Sequence, residues 1–305
     1  MKGSTSYEVI LRYVPDKLRQ LMRTVTQKCQ EELMEVRLRS KGPVYYVFAD
    51  RIMFLKANGG LSAVYDSDSY TVVASEVNDC IDRLCHYSLH SCRKQLSDGF
   101  FVIENGIRAG ISGVYSSSEP SVLVEFCSVN FRISRSVFGC ADKLFTQVSD
   151  KNVLICGGVN SGKTTILRDL CRLTGSFYKT ALIDERNEIA CVSGGEPQHN
   201  VGIMTDIIAD RSRHDGIISA VRTLSPDVII CDEIASVDDS EAVISGLGCG
   251  VRFIVTAHGE NMKEIRRRKA TSFLLESGFI DRVVFLCGPS YPGKIREIVR
   301  ADHGF

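Results

Sequence analysis

A short apolar run, Asn152 to Cys156, opens directly into Gly157-Gly158-Val159-Asn160-Ser161-Gly162-Lys163-Thr164. Nothing else in the chain constrains its fold as much. The eight residues match G-x-x-x-x-G-K-[ST] in full, with a strand pattern before them and a helical segment, Thr165 to Leu173, after. A loop of this kind lets successive backbone N–H groups face a phosphate, and the helix start adds its dipole. Lys163 is placed to reach the β and γ oxygens of ATP, Thr164 to offer its hydroxyl to Mg2+, and Gly157 through Thr165 to hold the phosphates.

A second feature fits the first. Asp227-Val228-Ile229-Ile230-Cys231-Asp232-Glu233 is an apolar strand ending in two acids. At the carboxyl end of a parallel strand, Asp232 can hold magnesium and Glu233 can orient or deprotonate an attacking water. An acid directly after the magnesium ligand favours hydrolysis over transfer to a small molecule. Thr180 to Ile183 is another strand candidate and ends in Asp184-Glu185-Arg186, where Asp184 or Glu185 could position water or magnesium. Phe253 to Thr256 leads into His258, expected to sense the γ-phosphate. Arg222, Arg132, Arg135 and Arg108 are candidates for the planar cation that neutralises developing phosphate charge.

The strands Val153–Cys156, Thr180–Ile183, Val228–Cys231, Phe253–Thr256 and Val283–Cys287 alternate with helical stretches, the texture of a parallel sheet covered on both faces. A last hairpin closes at Pro292-Gly293, with Ile295 to Val299 returning. Before Asn130 the pattern is different. Tyr7 to Gln30 has helical spacing interrupted at Pro15, and short strands follow at Glu35–Leu38, Val44–Phe48 and Ile52–Leu55. A helix starting with Ser75 and Asn78 is expected to run to about Leu96. A hairpin from Gly99 to Tyr115 turns at Asn105-Gly106, which tolerates positive φ, and Ser116 to Pro120 is a polar loop. The expectation is therefore an α/β chain: a smaller α+β N-terminal domain over residues 1–130, then a P-loop NTPase domain over 131–305, RecA-like by the family resemblance described below.

Lysine plus arginine (37) cancels aspartate plus glutamate (37), so no net field draws the chain toward nucleic acid, and none is expected as a partner. No run of 18 apolar residues occurs, and the start MKGSTSYEV lacks the blocks of a signal peptide, so a cytoplasmic place is expected. The 12 cysteines show no C-x-x-C pair and are expected as small buried residues rather than a disulfide framework. His86 and His90, four apart on the expected helix, have zinc spacing but lack the following glutamate of H-E-x-x-H, so a packed or exposed helix face is expected there. The basic run Arg266 to Lys269 is expected as a solvated helix face, with an acidic partner as the second choice.

The ordered set GGVNSGKTT, LIDERNEIA, GGEPQ, VG, TD, RTLSPDVIICDEI and TAHG resembles the stage III sporulation protein AA family, relatives of the hexameric ATPases that drive type II and type IV secretion. EVRLRS, DGFFVIENGIRAGISG and FRISRSVFGCADKLF extend the resemblance over nearly the whole chain. It implies that Asp184 and Glu185 form the family's acidic box, that Arg222 is the arginine ahead of the Walker B strand, that Glu233 is the catalytic acid and that His258 is the histidine box. It also implies a homo-oligomeric ring of six in which Arg132, Arg135 or Arg108 acts across the interface. Its expected place is the inner face of a membrane, bound to proteins of a channel between mother cell and forespore. A nucleotide or small-molecule kinase, with Arg211 and Arg213 as a lid, and a non-hydrolysing ATP switch are the alternatives.

Overall fold

The computed structural model describes residues 5–117, 123–134 and 136–301. The chain divides into two compact units, Met1–Arg135 and Ser136–Phe305.

The first unit opens with α1 (Ser6–Tyr13), α2 (Asp16–Met22) and α3 (Gln27–Glu32). Thr5 and Glu8 cap α1 reciprocally, each side chain accepting the other's backbone N–H. Pro15, which has no N–H to lose, starts α2. Strands β1 (Glu35–Arg39), β2 (Tyr45–Val47), β3 (Ile52–Leu55) and β4 (Leu61–Ser62) follow, then α4 (Ala74–Leu84) and α5 (Arg93–Asp98). Strands β5 (Phe100–Ile103), β6 (Ile107–Tyr115) and β7 (Leu123–Arg132) complete one antiparallel sheet in the order β4-β3-β2-β1-β7-β6-β5. Its core includes a buried tyrosine pair, in which Tyr7 donates to the Met22 carbonyl at 2.7 Å and its oxygen lies 2.9 Å from that of Tyr46.

Two expectations in this unit need correction, and one strand is additional. The helix expected from Ser75 to Leu96 stops at Leu84, because His86 (φ 49°) and Tyr87 (φ 59°) take left-handed backbone that no helix continues through. That break also takes His86 and His90 off a common helix; among the described residues no cluster of three or more His, Cys, Asp or Glu side chains could hold a metal. The additional strand is β7. Its alternation is broken by two register shifts against β6, and the change of texture after Asn130 falls inside it. Gly113 sits at the first of these shifts, where a Cβ would lie 1.8 Å from the Glu125 carbonyl oxygen. The turn at Asn105-Gly106 forms as expected, with φ of 59° and 68°.

The second unit contains α6 (Asp142–Val148), β8 (Val153–Gly157), α7 (Lys163–Thr174), β9 (Thr180–Asp184), β10 (Val192–Ser193), β11 (Glu196–Pro197), β12 (Thr205–Ala209) and α8 (Arg213–Thr223). It continues with β13 (Val228–Cys231), α9 (Val237–Gly248), β14 (Arg252–His258), α10 (Met262–Arg267), α11 (Lys269–Glu276), β15 (Arg282–Leu286) and β16 (Ile295–Arg300). The main sheet has the order β12-β9-β13-β14-β8-β15-β16, parallel throughout except for the antiparallel pairing of β15 and β16.

Side-chain alternation explains why both faces are covered. Leu154, Cys156, Ala181, Ile183, Ile229, Cys231, Phe253 and Val255 face one core, shared with Ile217, Val243 and Leu274 of α8, α9 and α11. The intervening Val153, Ile155, Leu182, Val228, Ile230 and Ile254 face the other, shared with Leu144 of α6 and Ile166, Leu167 and Leu170 of α7. Strands buried on both sides read as continuous apolar runs, which made them visible in the sequence. The edge strand β12 does not stand out in the sequence because its residues are only partly buried, although Ile207 packs on one core and Ile208 on the other. All 12 cysteines are free, six of them buried, while Cys127 and Cys249 are exposed.

Candidate phosphate site

A parallel register places the carboxyl ends of β8, β9, β13 and β14 along one edge. His258 pairs with Gly157, and Cys231 pairs with both Val255 and Ile183. Residues immediately after these positions therefore converge on the crevice where α/β sheets receive ligands. The loop Gly157–Thr164 lies there, between β8 and α7.

The loop's shape depends on two close approaches. Gly162 has φ 87°, and a Cβ on it would lie 2.4 Å from the Gly293 nitrogen. The Pro292-Gly293 turn is thus packed directly on the loop, and Gly293 donates its N–H to the Ser161 carbonyl at 2.7 Å. A Cβ on Gly158 would meet Glu260 Oε1 at 2.7 Å. Lys163 Nζ reaches back over the loop to the carbonyls of Gly157 (2.9 Å) and Gly158 (2.8 Å). Burial lowers the Lys163 pKa from its ordinary value, while Asp232 and Glu233 oppose that fall.

Thr164 and Asp232 come together as the sequence suggested: Thr164 Oγ1 donates to Asp232 Oδ2 at 3.3 Å. Thr256, fully buried on β14, donates to the other oxygen, Oδ1. Burial raises the Asp232 pKa, and the hydrogen bonds from Thr256 and Thr164 work against it. The same Thr256 hydroxyl accepts the Glu233 N–H at 2.7 Å. One hydroxyl therefore fixes both acids. Sequence reasoning passed over Thr256, although its place at the end of an apolar strand, two residues before His258, was the available signal.

Glu233 takes a left-handed φ of 55°. Its Oε1 lies 3.1 Å from His258 Nε2 and its Oε2 lies 3.0 Å from Arg186 Nη1. In the sequence Arg186 is only the residue after Asp184-Glu185, yet in the structure it contacts Glu233.

The acidic box itself divides by role. Asp184 is buried, and its carboxylate accepts the N–H groups of Glu188 (2.8 Å), Ile189 (2.9 Å) and Ala190 (2.8 Å). Desolvation pushes its pKa up to about 6 against the downward pull of those three bonds. The geometry makes it the anchor of the 186–190 loop, which Arg168 of α7 also holds through the Ile189 carbonyl at 2.9 Å. Glu185 forms an ion pair with Arg213 at 2.6 Å. Arg213 also donates Nε to the Asp232 carbonyl at 2.7 Å and lies 3.8 Å from Asp239. It is 9% exposed, a buried strut beneath the site rather than a lid.

Arg222 does not join this group. It lies in the last turn of α8, exposed, ahead of the amino end of β13, and therefore at the sheet edge opposite Asp232. In the first unit, Arg108 stacks 3.9 Å from the centre of the Phe100 ring and Arg132 pairs with Glu35 at 3.3 Å. Arg135 lies outside the described residues. Arg266 to Lys269 are all exposed, and Arg268 pairs with Glu264 at 3.1 Å.

Comparison with known proteins accords with this construction. The structure resembles the Legionella pneumophila ATPase DotB with a TM-score of 0.56 at 13% identity, covering 88% of this chain and 74% of that one. It resembles the pilus retraction motor PilT, solved with bound ADP, with a TM-score of 0.57 at 14% identity, covering 93% and 78%. At such identities the likeness concerns the fold alone, a RecA-like one. In sequence, the chain is 31% identical over 304 residues to stage III sporulation protein AA of Bacillus subtilis (strain 168), covering 96% of this chain and 95% of that protein. It is 27% identical over 139 residues to an uncharacterized protein, ycf45, of Cyanidium caldarium, covering 44% and 41%. The family model described as sporulation stage III, protein AA matches residues 5–304, and this chain belongs to that family.

Proposed function

We propose that this chain is an ATP-hydrolysing motor that energises assembly of, or passage through, a membrane channel complex during endospore formation. The observation carrying the proposal is the Thr164–Asp232 pair, 3.3 Å apart above the phosphate loop, with Glu233 next in sequence at the same edge. Two adjacent hard oxygen donors suit Mg2+, which would be held by Thr164 and Asp232. When bound, the ion would neutralise charge on the β and γ phosphate oxygens. Lys163 would exchange its two loop carbonyls for phosphate oxygens. Glu233 would take the proton of a water whose oxygen bonds to the γ-phosphorus as the bond to ADP breaks.

The kinase alternative relied on Arg211 and Arg213 as a lid, and burial of Arg213 removes half of it. Arg222, at the far sheet edge, has no part in its own chain's site under this proposal; a role for it would need another copy. We assign the working form to a homo-oligomeric ring, a hexamer by family resemblance, in which Arg108, Arg132 or Arg135 of a neighbouring copy contributes the cation. Among the described residues no helix is long and apolar enough to cross a membrane. We assign it a cytoplasmic position, peripheral at a membrane's inner face through channel proteins, a reading supported by membership of a sporulation family.

The test is turnover per subunit against protein concentration, with oligomeric state followed by light scattering. A rate per subunit that climbs as rings form supports a motor with shared sites. A monomer of constant rate, or one that passes phosphate only to an added acceptor, overturns it.

A further inference from the structure

Both carboxylate oxygens of Glu233 are occupied, Oε1 by His258 and Oε2 by Arg186. Its backbone is held as well, through the N–H bond to Thr256 and a left-handed φ that non-glycine residues adopt only when their surroundings fix it. An oxygen already accepting from a guanidinium is poorly placed to accept a proton from water. In this arrangement the acid that hydrolysis needs is masked.

The two masking groups differ in freedom. His258 is the last residue of β14, fixed by its pairing with Gly157. Arg186 follows β9 on a turn whose backbone is pinned, since Asn187 donates to the Asp184 carbonyl at 3.0 Å and Asp184 holds the next three amides. Its side chain, however, is 60% exposed. A guanidinium anchored at its base and free at its head, on the same edge as the phosphate loop, can exchange one anion for another. Planar guanidinium groups match phosphate oxygens two at a time, and a multiply charged phosphate attracts a cation more strongly than a single carboxylate at the same distance.

We propose that Arg186 senses the terminal phosphate: it masks Glu233 when that phosphate is absent and moves onto it when ATP is bound, freeing Oε2 for water. The proposal rests on the ATP-hydrolysing reading above. ADP offers no γ-phosphate, so the mask returns once phosphate leaves. Arg186 is then a catalytic residue in the ATP-bound form and a positioning residue for Glu233 otherwise.

Calorimetric titration of the full chain with Mg2+ and either ADP or a non-hydrolysable ATP analogue tests this without requiring turnover. Arg186→Ala should weaken the analogue by about tenfold or more while leaving ADP within about twofold, since a lost charge-assisted phosphate contact acts only on the ligand carrying that phosphate. Arg186→Lys, which keeps the charge but not the fork, should fall between. Equal weakening of both ligands would reduce Arg186 to a structural role. No change in either would remove it from the site, and a loss of discrimination in His258→Asn but not Arg186→Ala would transfer the sensor to His258. Failure of the wild-type chain to bind either ligand would instead overturn the nucleotide reading itself.

Discussion

Replacing Arg213 with methionine separates two opposed roles for that side chain. Methionine keeps the unbranched apolar stem and removes the guanidinium. Three groups then lose a partner: the Asp232 carbonyl at 2.7 Å, Glu185 at 2.6 Å and Asp239 at 3.8 Å. Breaking one side of a buried ion pair typically costs about 3–5 kcal/mol. Glu185 is 34% exposed at its side chain and can turn partly to water, so the lower end applies, about 3 kcal/mol. For a unit of this size that corresponds to a fall in Tm of roughly 6–12 °C. Differential scanning calorimetry is the assay, with the transition of the second unit identified by its upward shift on adding nucleotide. Replacing Glu185 together with Arg213 should recover part of the loss, because the orphaned charge is gone. A variant with unchanged Tm and weakened ATP binding would refute the strut and restore Arg213 as a lid facing the nucleotide.

Thr256→Val removes the hydroxyl shared by Asp232 and the Glu233 N–H, and should cost about 2 kcal/mol in urea denaturation; a change below about 0.5 kcal/mol would show that the two groups find other partners. Gly162→Ala places a Cβ 2.4 Å from the Gly293 nitrogen at a φ of 87°, so it should destabilise by about 1–3 kcal/mol and abolish nucleotide binding. Wild-type affinity in that variant would mean that the hairpin yields. Asp184 has its folded pKa raised to about 6, above its ordinary 3.8, so the folded chain binds the proton first. Its contribution to stability is complete below the lower value and is lost as pH rises through about 6. Urea midpoints measured between about pH 4 and 6 should carry that slope, and Asp184→Asn should flatten it; an unaltered slope in the variant would assign it to another group.

How much of this was visible beforehand depended on burial. Strands covered on both faces, such as Val228–Cys231, announce themselves as unbroken apolar runs and lead into the acids Asp232 and Glu233. Partly buried Thr205–Ala209 and bulged Leu123–Arg132 lack a clean period and were missed for that reason. At the site, residues adjacent in sequence to a motif were legible. Groups that act through space were not: Thr256 reaches across from β14 to β13, and Arg186 reaches from the turn after β9 to Glu233. Spacing in the chain could not show that Asp184 spends its oxygens on three backbone amides while Arg186, two residues on, contacts Glu233. Nor could it show that Arg213 is buried when Arg222, on the same helix, is exposed.

Release of inorganic phosphate from Mg–ATP by the purified full chain, with Lys163→Ala and Glu233→Gln beside wild type, bears most directly on hydrolysis at this site. Wild type should turn over, Lys163→Ala should lose nucleotide binding along with activity, and Glu233→Gln should bind ATP yet lose rate by about 100-fold or more. A Glu233→Gln chain that releases phosphate at the wild-type rate would contradict the assignment of the attacking water to Glu233. Wild-type release unaffected by Lys163→Ala would contradict hydrolysis at this loop altogether.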